Sequence, residues 1–332
     1  MPLSRTDTPP SDAALARFAP RRLGHANLFV GDVERSTRFY HAVCGLELVR
    51  REPAITAAFL SNGDTHHDVG LIQVSPEARR GRDGFLQPSG TRGKRPGLNH
   101  LGFEMESEVD LVAACRRAVA ANVAIHSTAD HIISRSVYLF DPSGNLLEFY
   151  ADALADWRTV FNPEQEDLVS GAWTPGATPP AQARNYPVNP EIRVVPEALL
   201  HARKIAYAVL GVPRLAESLA FYNDVAGLDV VARDGGRGAV LRGSAGAFDL
   251  VLFEAAGGPL PGLHHVAFEH PDLDLDASKR RLAGAGIPVE LEIDSQTKRS
   301  LFVKDPDGML VEFTHRRSSI LEAAVPDDIR LL

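Results

Sequence analysis

The sequence of 332 residues has few cysteines, no long apolar run and no excess of basic residues. Its two cysteines, Cys44 and Cys115, have no second cysteine near them in sequence, which excludes a thiolate metal motif and argues against a disulfide framework. No apolar run approaches the ~20 residues that a helix needs to span a bilayer. The formal net charge of -8 argues against a nucleic-acid partner, because such proteins usually carry a basic face. We therefore expect neither nucleic acid nor a membrane among the partners.

The N-terminal segment 1–20 lacks the basic start and the apolar core of a signal peptide. It is polar and contains Pro9 and Pro10, so we expect a flexible arm on a cytoplasmic protein. Because domains typically hold ~100–150 residues, the length of the chain predicts two domains.

The sequence contains an internal repeat. The segments 23–46, 98–104 and 141–149 recur at 205–228, 263–269 and 305–313. Asp-Pro-x-Gly marks a turn between two apolar strands in each copy. A strand, a helix and further strands follow one another twice in each half. This pattern predicts an α+β fold of two duplicated domains, each of two βαβββ units.

The repeat also sets the predicted domain boundaries. We place the first domain at 21–156, a proline-rich linker at 157–202, the second domain at 203–317 and a C-terminal tail at 318–332.

Three apolar strands of the first half carry polar side chains that need an explanation. Alternation along a strand puts Leu23, His25, Asn27 and Phe29 on one face. His100 and Glu148 likewise stand on strands of mainly apolar residues, where a carboxylate is costly to bury without a cation. Each residue alone is more often a hydrogen-bonded core or surface residue than a ligand. Together, two imidazoles and one carboxylate suit a non-haem Fe(II) centre, for which Mn(II) could substitute.

These residues resemble the vicinal oxygen chelate superfamily and, within it, the type I extradiol ring-cleavage dioxygenases of the catechol 2,3-dioxygenase kind. The superfamily resemblance extends from Leu23 to Arg316. It implies two glyoxalase/dioxygenase-like domains, in each of which two βαβββ units form a curved mixed sheet around a central cavity. It also implies the metal ligands His25, His100 and Glu148.

A more specific resemblance lies in the stretch from His131 through Tyr138 and Asp-Pro-Ser-Gly to Glu148, which is similar to the ring-cleavage signature. The segment 63–71 (GDTHHDVGL) resembles the family's segment with a second-sphere histidine. The resemblance implies that His67 acts as acid and base, and that His131 and Tyr138 donate hydrogen bonds to the substrate. It further implies a small aromatic diol and O2 as substrates, and we expect a homo-oligomer.

The sequence departs from the familiar two-domain members, whose C-terminal domain is the active one. Here the complete set is N-terminal, while the second half keeps His265 and Glu312 but has Tyr207 in place of His25 and Phe302 in place of Tyr138. We interpret the second half as a degenerate copy that could still bind a metal weakly. Another arrangement, resembling the hydroquinone dioxygenases, would pair His25 with His265 and Glu312, but it leaves the other site residues unexplained.

Two other functions stay open at this point. A glyoxalase-like isomerase or lyase would need a further ligand from the strand at 69–74, where Gln73 is the one candidate. A metal-free binding or resistance protein would not need His131 and Tyr138 beside all three ligands. The insertion at 75–97 is basic, and we interpret it as a surface loop in preference to a lid that favours acidic substrates.

Overall fold

The computed structural model describes residues 16–81, 86–87, 92–161, 171–245, 248–255 and 262–317. Most of the predicted N-terminal arm (1–15) and the whole predicted tail (318–332) lie outside the described residues. The two halves of the repeat form two similar α+β domains that share one hydrophobic core.

The first domain contains two βαβββ units with a small two-stranded sheet between them. The first unit comprises β1 (Arg22–Val30), α1 (Val33–Ala42), β2 (Glu47–Glu52), β3 (Ala57–Ser61) and β4 (Val69–Gln73). The small sheet is formed by β5 (Arg79–Arg80) and β6 (Leu86–Gln87). The second unit comprises β7 (Gly97–Glu104), α2 (Glu108–Ala120), β8 (Ser127–Asp130), β9 (Ser134–Phe140) and β10 (Leu146–Asp152). Turns of 3-10 helix at Pro53–Ile55 and Trp157–Thr159 and the short strand β11 (Gly171–Ala172) complete this half.

The second domain repeats the plan. Its first unit comprises β12 (Lys204–Val212), α3 (Leu215–Phe221), a π-helical turn (Tyr222–Ala226), β13 (Asp229–Asp234), β14 (Gly238–Arg242) and β15 (Leu250–Glu254). Its second unit comprises β16 (Gly262–Glu269), α4 (Leu275–Gly284), β17 (Leu291–Asp294), β18 (Lys298–Lys304) and β19 (Leu310–Arg316). The four predicted βαβββ units are therefore confirmed.

Side-chain caps mark where the first helices begin. The Asp32 carboxylate accepts the Arg35 N–H at 2.8 Å, and Ser107 Oγ accepts the Asp110 N–H at 3.2 Å. Such caps satisfy backbone N–H groups that have no partner inside the helix. None of the helices in the described part of the chain is long and apolar enough to cross a membrane.

In each domain the two units join edge to edge in one mixed, curved sheet. The strand order is β11-β8-β9-β10-β7-β1-β4-β3-β2 in the first domain and β13-β14-β15-β12-β16-β19-β18-β17 in the second. The first strands of the two units, β1 and β7 or β12 and β16, lie antiparallel at the centre. The central strands thus bring side chains of both units to one cavity, as predicted.

The two faces of the first sheet differ in chemistry. Leu28, Leu101 and Leu147 are fully buried in the shared hydrophobic core. The residues that alternate with them point to the opposite, concave face, which carries the predicted metal ligands. Strand periodicity therefore separates the site from the core.

Leu23 does not share the face of His25, and that prediction is wrong. Leu23 pairs with Phe103 and His25 pairs with Gly102, so Gly24 is an extra residue in β1. A bulge of this kind interrupts the alternation of side chains. Leu23 consequently joins the hydrophobic core instead of the cavity face.

The last five residues of the predicted arm are not loose. Phe18 is buried, and its ring stacks on Phe149 of the first domain at 4.2 Å between centroids. Its N–H donates to Val225 O of the second domain at 2.9 Å. The prediction of a flexible arm is therefore wrong for residues 16–20, because an apolar side chain fixes them between the domains.

The predicted linker also packs along the first domain. β11 adds to the edge of the first sheet beside β8. Further along, the N–H groups of Leu199, Leu200 and Ala202 donate to carbonyl groups just after α1 or at its end, at 2.9 to 3.0 Å. The described residues of the proline-rich segment thus pack against the first domain, and Leu199 also accepts a hydrogen bond from Arg281 of the second domain.

Reciprocal hydrogen bonds join the two domains. Asp68 accepts the Ile205 N–H at 2.9 Å, and the equivalent Asp249 accepts the Leu23 N–H at 2.8 Å. Each aspartate therefore satisfies a backbone donor at the start of the other domain's first strand.

The repeated Phe-Tyr and Asp-Pro-x-Gly motifs meet across the same interface. Tyr222 donates to Asp141 at 2.9 Å, and Tyr40 donates to Asp305 at 3.3 Å. Each tyrosine follows a helix or lies within it, and each aspartate begins the turn before the last strand of the other domain. The repeat thus provides the contacts that hold the two copies together.

The basic insertion lies partly outside the described residues, at 82–85 and 88–91. Within the described part, Arg79 donates to Thr56 Oγ1 at 2.5 Å, and Arg92 donates to the carbonyl of Asn99. These bonds attach two of its arginines to the first domain, and the idea of a lid stays a prediction.

Candidate metal centre

The three predicted metal ligands come together on the concave face of the first sheet. His25 Nε2 lies 2.7 Å and His100 Nε2 lies 2.9 Å from the same atom, Glu148 Oε2. His25 comes from β1, His100 from β7 and Glu148 from β10, which are neighbouring strands. Their ligand atoms all lie within 4.8 Å of one another, and all three side chains are buried. The three side chains predicted from the sequence therefore lie together, and their binding of a metal stays a prediction.

The His25 imidazole fits only because Gly102 has no side chain. Gly102 pairs with both His25 and Glu148. A Cβ at this position would lie 2.1 Å from His25 Nε2, well inside van der Waals contact. The ring thus occupies space over the β7 backbone that any larger residue would fill.

The chemistry of this donor set fits a divalent metal ion. His100 Nδ1 lies 2.7 Å from Asn99 Oδ1, which fixes the ring and directs Nε2 to the carboxylate. His100 Nε2 is buried and, despite its short distance to Glu148, is not aligned for a hydrogen bond. Two imidazole nitrogens and one carboxylate leave open positions on the ion, as non-haem Fe(II) sites require.

Electrostatics favour a neutral His25 and an ionised Glu148. Burial lowers the pKa of His25 to about 4, so the imidazole is neutral at neutral pH. Burial alone would raise the pKa of Glu148, but the adjacent His25 and His100 outweigh it and hold that pKa well below its usual range. The ionised Glu148 carboxylate beside the neutral His25 ring carries a negative charge that a cation can compensate.

His67 lies beside the three ligands, as predicted. Its ring centroid is 4.0 Å from that of His25, and its Nε2 lies 3.0 Å from Asn27 Oδ1. Burial, and then the neighbouring His25, lower the pKa of His67 well below its usual range. The neutral His67 ring thus lies next to His25 in the buried cluster.

His131 and Tyr138 reach the same carboxylate from the other side. Tyr138 donates to Glu148 Oε1 at 2.8 Å, so His131 Nε2, 3.0 Å from the tyrosine oxygen, acts as the donor to it. Burial lowers the pKa of His131 to about 4. The next residue, Ile132, has a φ of 68°, which is strained for a β-branched residue. This strained turn fixes the position of His131 at the cavity.

Sequence reasoning missed residues that orient these side chains. Asp152 Oδ1 lies 3.2 Å from His66 Nδ1, and both side chains are buried. Asn99 directly precedes a ligand, but adjacent residues in a strand normally point to opposite faces. Asn99 opposes no residue of β1, since β1 pairs Asn27 with His100 and Leu28 with Leu98. This bulge lets Asn99 contact the His100 ring, and the sequence alone does not show the bulge.

Gln73 does not belong to the site. Its side-chain oxygen accepts the Val33 N–H at 3.1 Å and thereby supports the start of α1. Gly70 and Ile72 of the same strand face the cavity side, because Gly70 lies against Asn27. Gln73, the candidate for the further ligand that an isomerase or lyase would need, therefore points away from the site.

The second domain keeps His265 and Glu312 but has different residues at the positions of His25 and Tyr138. Phe302 lies opposite Glu312 in the register where Tyr138 lies opposite Glu148, as predicted. Tyr207 donates to Glu312 Oε2 at 2.6 Å, and His265 Nε2 lies 3.1 Å from that oxygen.

Within the described ranges, the potential metal ligands that group with His25 come from the first domain. They are His66, His67, His100 and Glu148. The arrangement that pairs His25 with His265 and Glu312 is therefore not supported.

Comparison with known proteins agrees with this geometry. The chain is 26% identical over 306 residues to a catechol-2,3-dioxygenase of Bacillus subtilis (strain 168), covering 88% of this chain and 96% of that protein. It is 26% identical over 193 residues to biphenyl-2,3-diol 1,2-dioxygenase 3 of Rhodococcus globerulus, covering 55% of this chain and 88% of that protein.

A Mn(II)-bound glyoxalase from Novosphingobium aromaticivorans has a similar fold. The TM-score is 0.61 at 20% identity, over 90% of this chain and 84% of that one. The family model of the Glyoxalase/Bleomycin resistance protein/Dioxygenase superfamily matches residues 22–149 and 204–313, which are the two domains. The chain therefore belongs to the glyoxalase/bleomycin resistance protein/dioxygenase superfamily.

Proposed function

We propose that this protein is an Fe(II)-dependent extradiol dioxygenase that opens the aromatic ring of a catechol-type substrate with O2. The observation that carries the proposal is the position of Glu148. One of its oxygens faces two imidazole nitrogens, and the other accepts a hydrogen bond from Tyr138, which also contacts His131. The likeness to dioxygenases that act on catechol and biphenyl-2,3-diol supports it.

Under this proposal His25, His100 and Glu148 hold the iron, and Mn(II) suits the same ligands. When bound, the ion supplies a shared binding point for both oxygens of the diol and for dioxygen, and it acidifies the diol. The remaining residues of the site then bind the substrate and transfer its protons.

His67 accepts a proton from the diol and returns it later in the reaction. Its buried neutral ring and its fixed Nε2 contact with Asn27 leave Nδ1 without a hydrogen-bond partner and available for this exchange. His131 and Tyr138 provide a second route, since their hydrogen-bonded chain ends at the carboxylate ligand. The surrounding burial excludes bulk water, which strengthens each of these polar interactions.

The proposal is tested by oxygen uptake. The protein is purified anaerobically, loaded with Fe(II) and supplied with a panel of substituted catechols. We expect uptake and a yellow ring-opened product from the wild type, and neither from His100→Ala. Metal binding without uptake across a broad panel would favour an isomerase or lyase. Absence of bound metal would favour a metal-free binding protein.

Tyr138→Phe separates metal binding from proton transfer. The variant keeps all three ligands and loses one hydroxyl, so we expect normal iron content and an activity roughly 100-fold lower. Tyr186→Phe is the matched control, because Tyr186 OH donates to Glu106 away from the site. If Tyr138→Phe keeps full activity, the hydroxyl has no part in proton transfer.

A further inference from the structure

The second domain contains a buried carboxylate where the first domain has its metal ligand. Glu312 is 0% exposed and stands on β19 as Glu148 stands on β10. His265 corresponds to His100 in the repeated segment, and Tyr207 corresponds to His25 in the repeated strand. An ionised carboxylate at this depth needs a cation, and a tyrosine in place of His25 supplies none.

Lys298 supplies the positive charge. Its Nζ lies 2.8 Å from Glu312 Oε1 and 3.1 Å from the Tyr207 hydroxyl, and only 6% of the residue is exposed. Tyr207 and His265 occupy the other carboxylate oxygen. The charge and hydrogen-bonding capacity of Glu312 are thus satisfied from within the chain.

The ammonium enters from a position that is different in the first domain. Lys298 lies opposite Arg316 at the start of β18, in the register where Ser134 lies opposite Asp152 at the start of β9. A serine side chain is too short to reach the carboxylate. The first domain therefore lacks an equivalent internal cation at this position, and Glu148 faces imidazole nitrogens instead.

We propose that the Lys298 ammonium takes the place of a metal ion in the second domain, so that the chain binds a single metal ion, in the first domain. The residues around Glu312 thus form a metal-type site in which the Lys298 ammonium occupies the place of the ion. Removing the ammonium and restoring the missing imidazole reopens it to a divalent first-row cation.

The first experiment measures Mn2+ per chain by elemental analysis after gel filtration. We expect one Mn2+ in the wild type and none in Glu148→Gln, whose second domain is intact. Two Mn2+ per chain in the wild type, one of which remains in Glu148→Gln, would overturn the proposal, because a metal would then bind in the second domain with Lys298 in place. A wild type without any Mn2+ would contradict the proposed metal centre of the first domain, which is a different result.

The second experiment reopens the site in the Glu148→Gln background. Tyr207→His with Lys298→Ala creates two imidazoles and one carboxylate, and we expect one Mn2+ per chain and a higher Tm when Mn2+ is added. The matched control is Tyr207→His with Lys304→Ala, since Lys304 is an exposed partner of Glu290. We expect no Mn2+ there. If the folded variant that combines Tyr207→His with Lys298→Ala takes up no Mn2+, the proposal is overturned.

A third measurement does not depend on metal uptake. Lys298→Met leaves the Glu312 charge buried without its ammonium, so we expect Tm to fall by about 5–10 °C. Adding Glu312→Gln removes that charge and should recover most of the loss. An unchanged Tm in Lys298→Met would show that the ammonium does not compensate Glu312.

Discussion

At the scale of single residues, the site depends on one absent side chain as much as on its ligands. Gly102 leaves the space that the His25 ring occupies, and a Cβ there would lie 2.1 Å from Nε2. The ring cannot keep its position against a methyl group on the neighbouring backbone.

Gly102→Ala should therefore displace His25 and weaken metal binding by about 10–100-fold, as a disturbed ligand orientation does. The measurement is the Kd for Mn2+ or Fe2+ in an anaerobic titration. Gly284→Ala is the control, because a Cβ at Gly284 meets nothing within 4 Å. Equal affinities for Gly102→Ala and the wild type would contradict the steric argument.

The grouping of His25, His100 and Glu148 could be predicted from residue type, strand alternation and the resemblance to the superfamily. A histidine or glutamate in an apolar strand is conspicuous, and the resemblance implies that these strands are neighbours. Lys298 could not be predicted in this way, because its contact with Glu312 depends on the reach of a long side chain across two strands. Asp152, the partner of His66, was missed because His66 lies between β3 and β4, outside any strand, where alternation does not place it.

At the scale of elements, the repeat predicted the strands and helices but not their bulges. The extra residue at Gly24 moves Leu23 to the core face, and its N–H then donates to Asp249 of the second domain. A bulge changes the pairing by one residue without any change in composition that a pattern can detect. The interface between the domains was therefore beyond the sequence.

Asp68, one of the two aspartates that form hydrogen bonds across the domain interface, is expected to make the stability of the fold depend on pH. Burial raises its pKa from 3.8 to about 7, although Ile205, Ser61 and Asn62 donate hydrogen bonds to it. Between these two values the folded chain binds one more proton than the unfolded chain. The contribution of Asp68 to the free energy of unfolding therefore falls as pH rises from about 4 to about 7, by at most about 1.4 kcal/mol per pH unit.

The buried histidines act in the opposite sense, so the effect is measured as a difference. The pKa values of His25 and His131 are lowered to about 4, and this costs stability as pH falls below about 6.5. Asp68→Asn lacks the titration, and its deficit relative to the wild type should be largest near pH 4 and shrink towards pH 7 in urea unfolding. Asp229→Asn, at an exposed ion pair, should show no such trend. A deficit that grows with pH would reverse the assigned direction.

At the scale of the whole molecule, the two copies share one hydrophobic core instead of having two. Phe18 contributes to it from outside both repeats, since its ring stacks on Phe149 and its backbone bonds to Val225. The duplication was visible in the sequence, but the packing of residues 16–20 and of the linker was not, because the sequence match between the two copies begins only at Leu23 and Ile205.

We therefore expect a single cooperative transition in calorimetry of the full chain. Phe18→Ala should lower the stability by about 3–5 kcal/mol and keep one transition, whereas Val188→Ala, at a 79% exposed position, should change little. Two resolved transitions in the wild type would show that the domains unfold independently.

The bond between Tyr222 and Asp141 explains why a half without the complete ligand set is retained. Asp141 begins the turn that leads into β10, the strand that carries Glu148. Tyr222 follows α3, whereas Tyr207, His265 and Glu312 stand on neighbouring strands of the second sheet. A substitution that loosened Tyr222 would act on Glu148 through Asp141 and the turn that follows it, so this contact constrains the second half although its cavity lacks the complete set. The cavity of the second domain can therefore diverge, whereas its contact with the first domain is constrained.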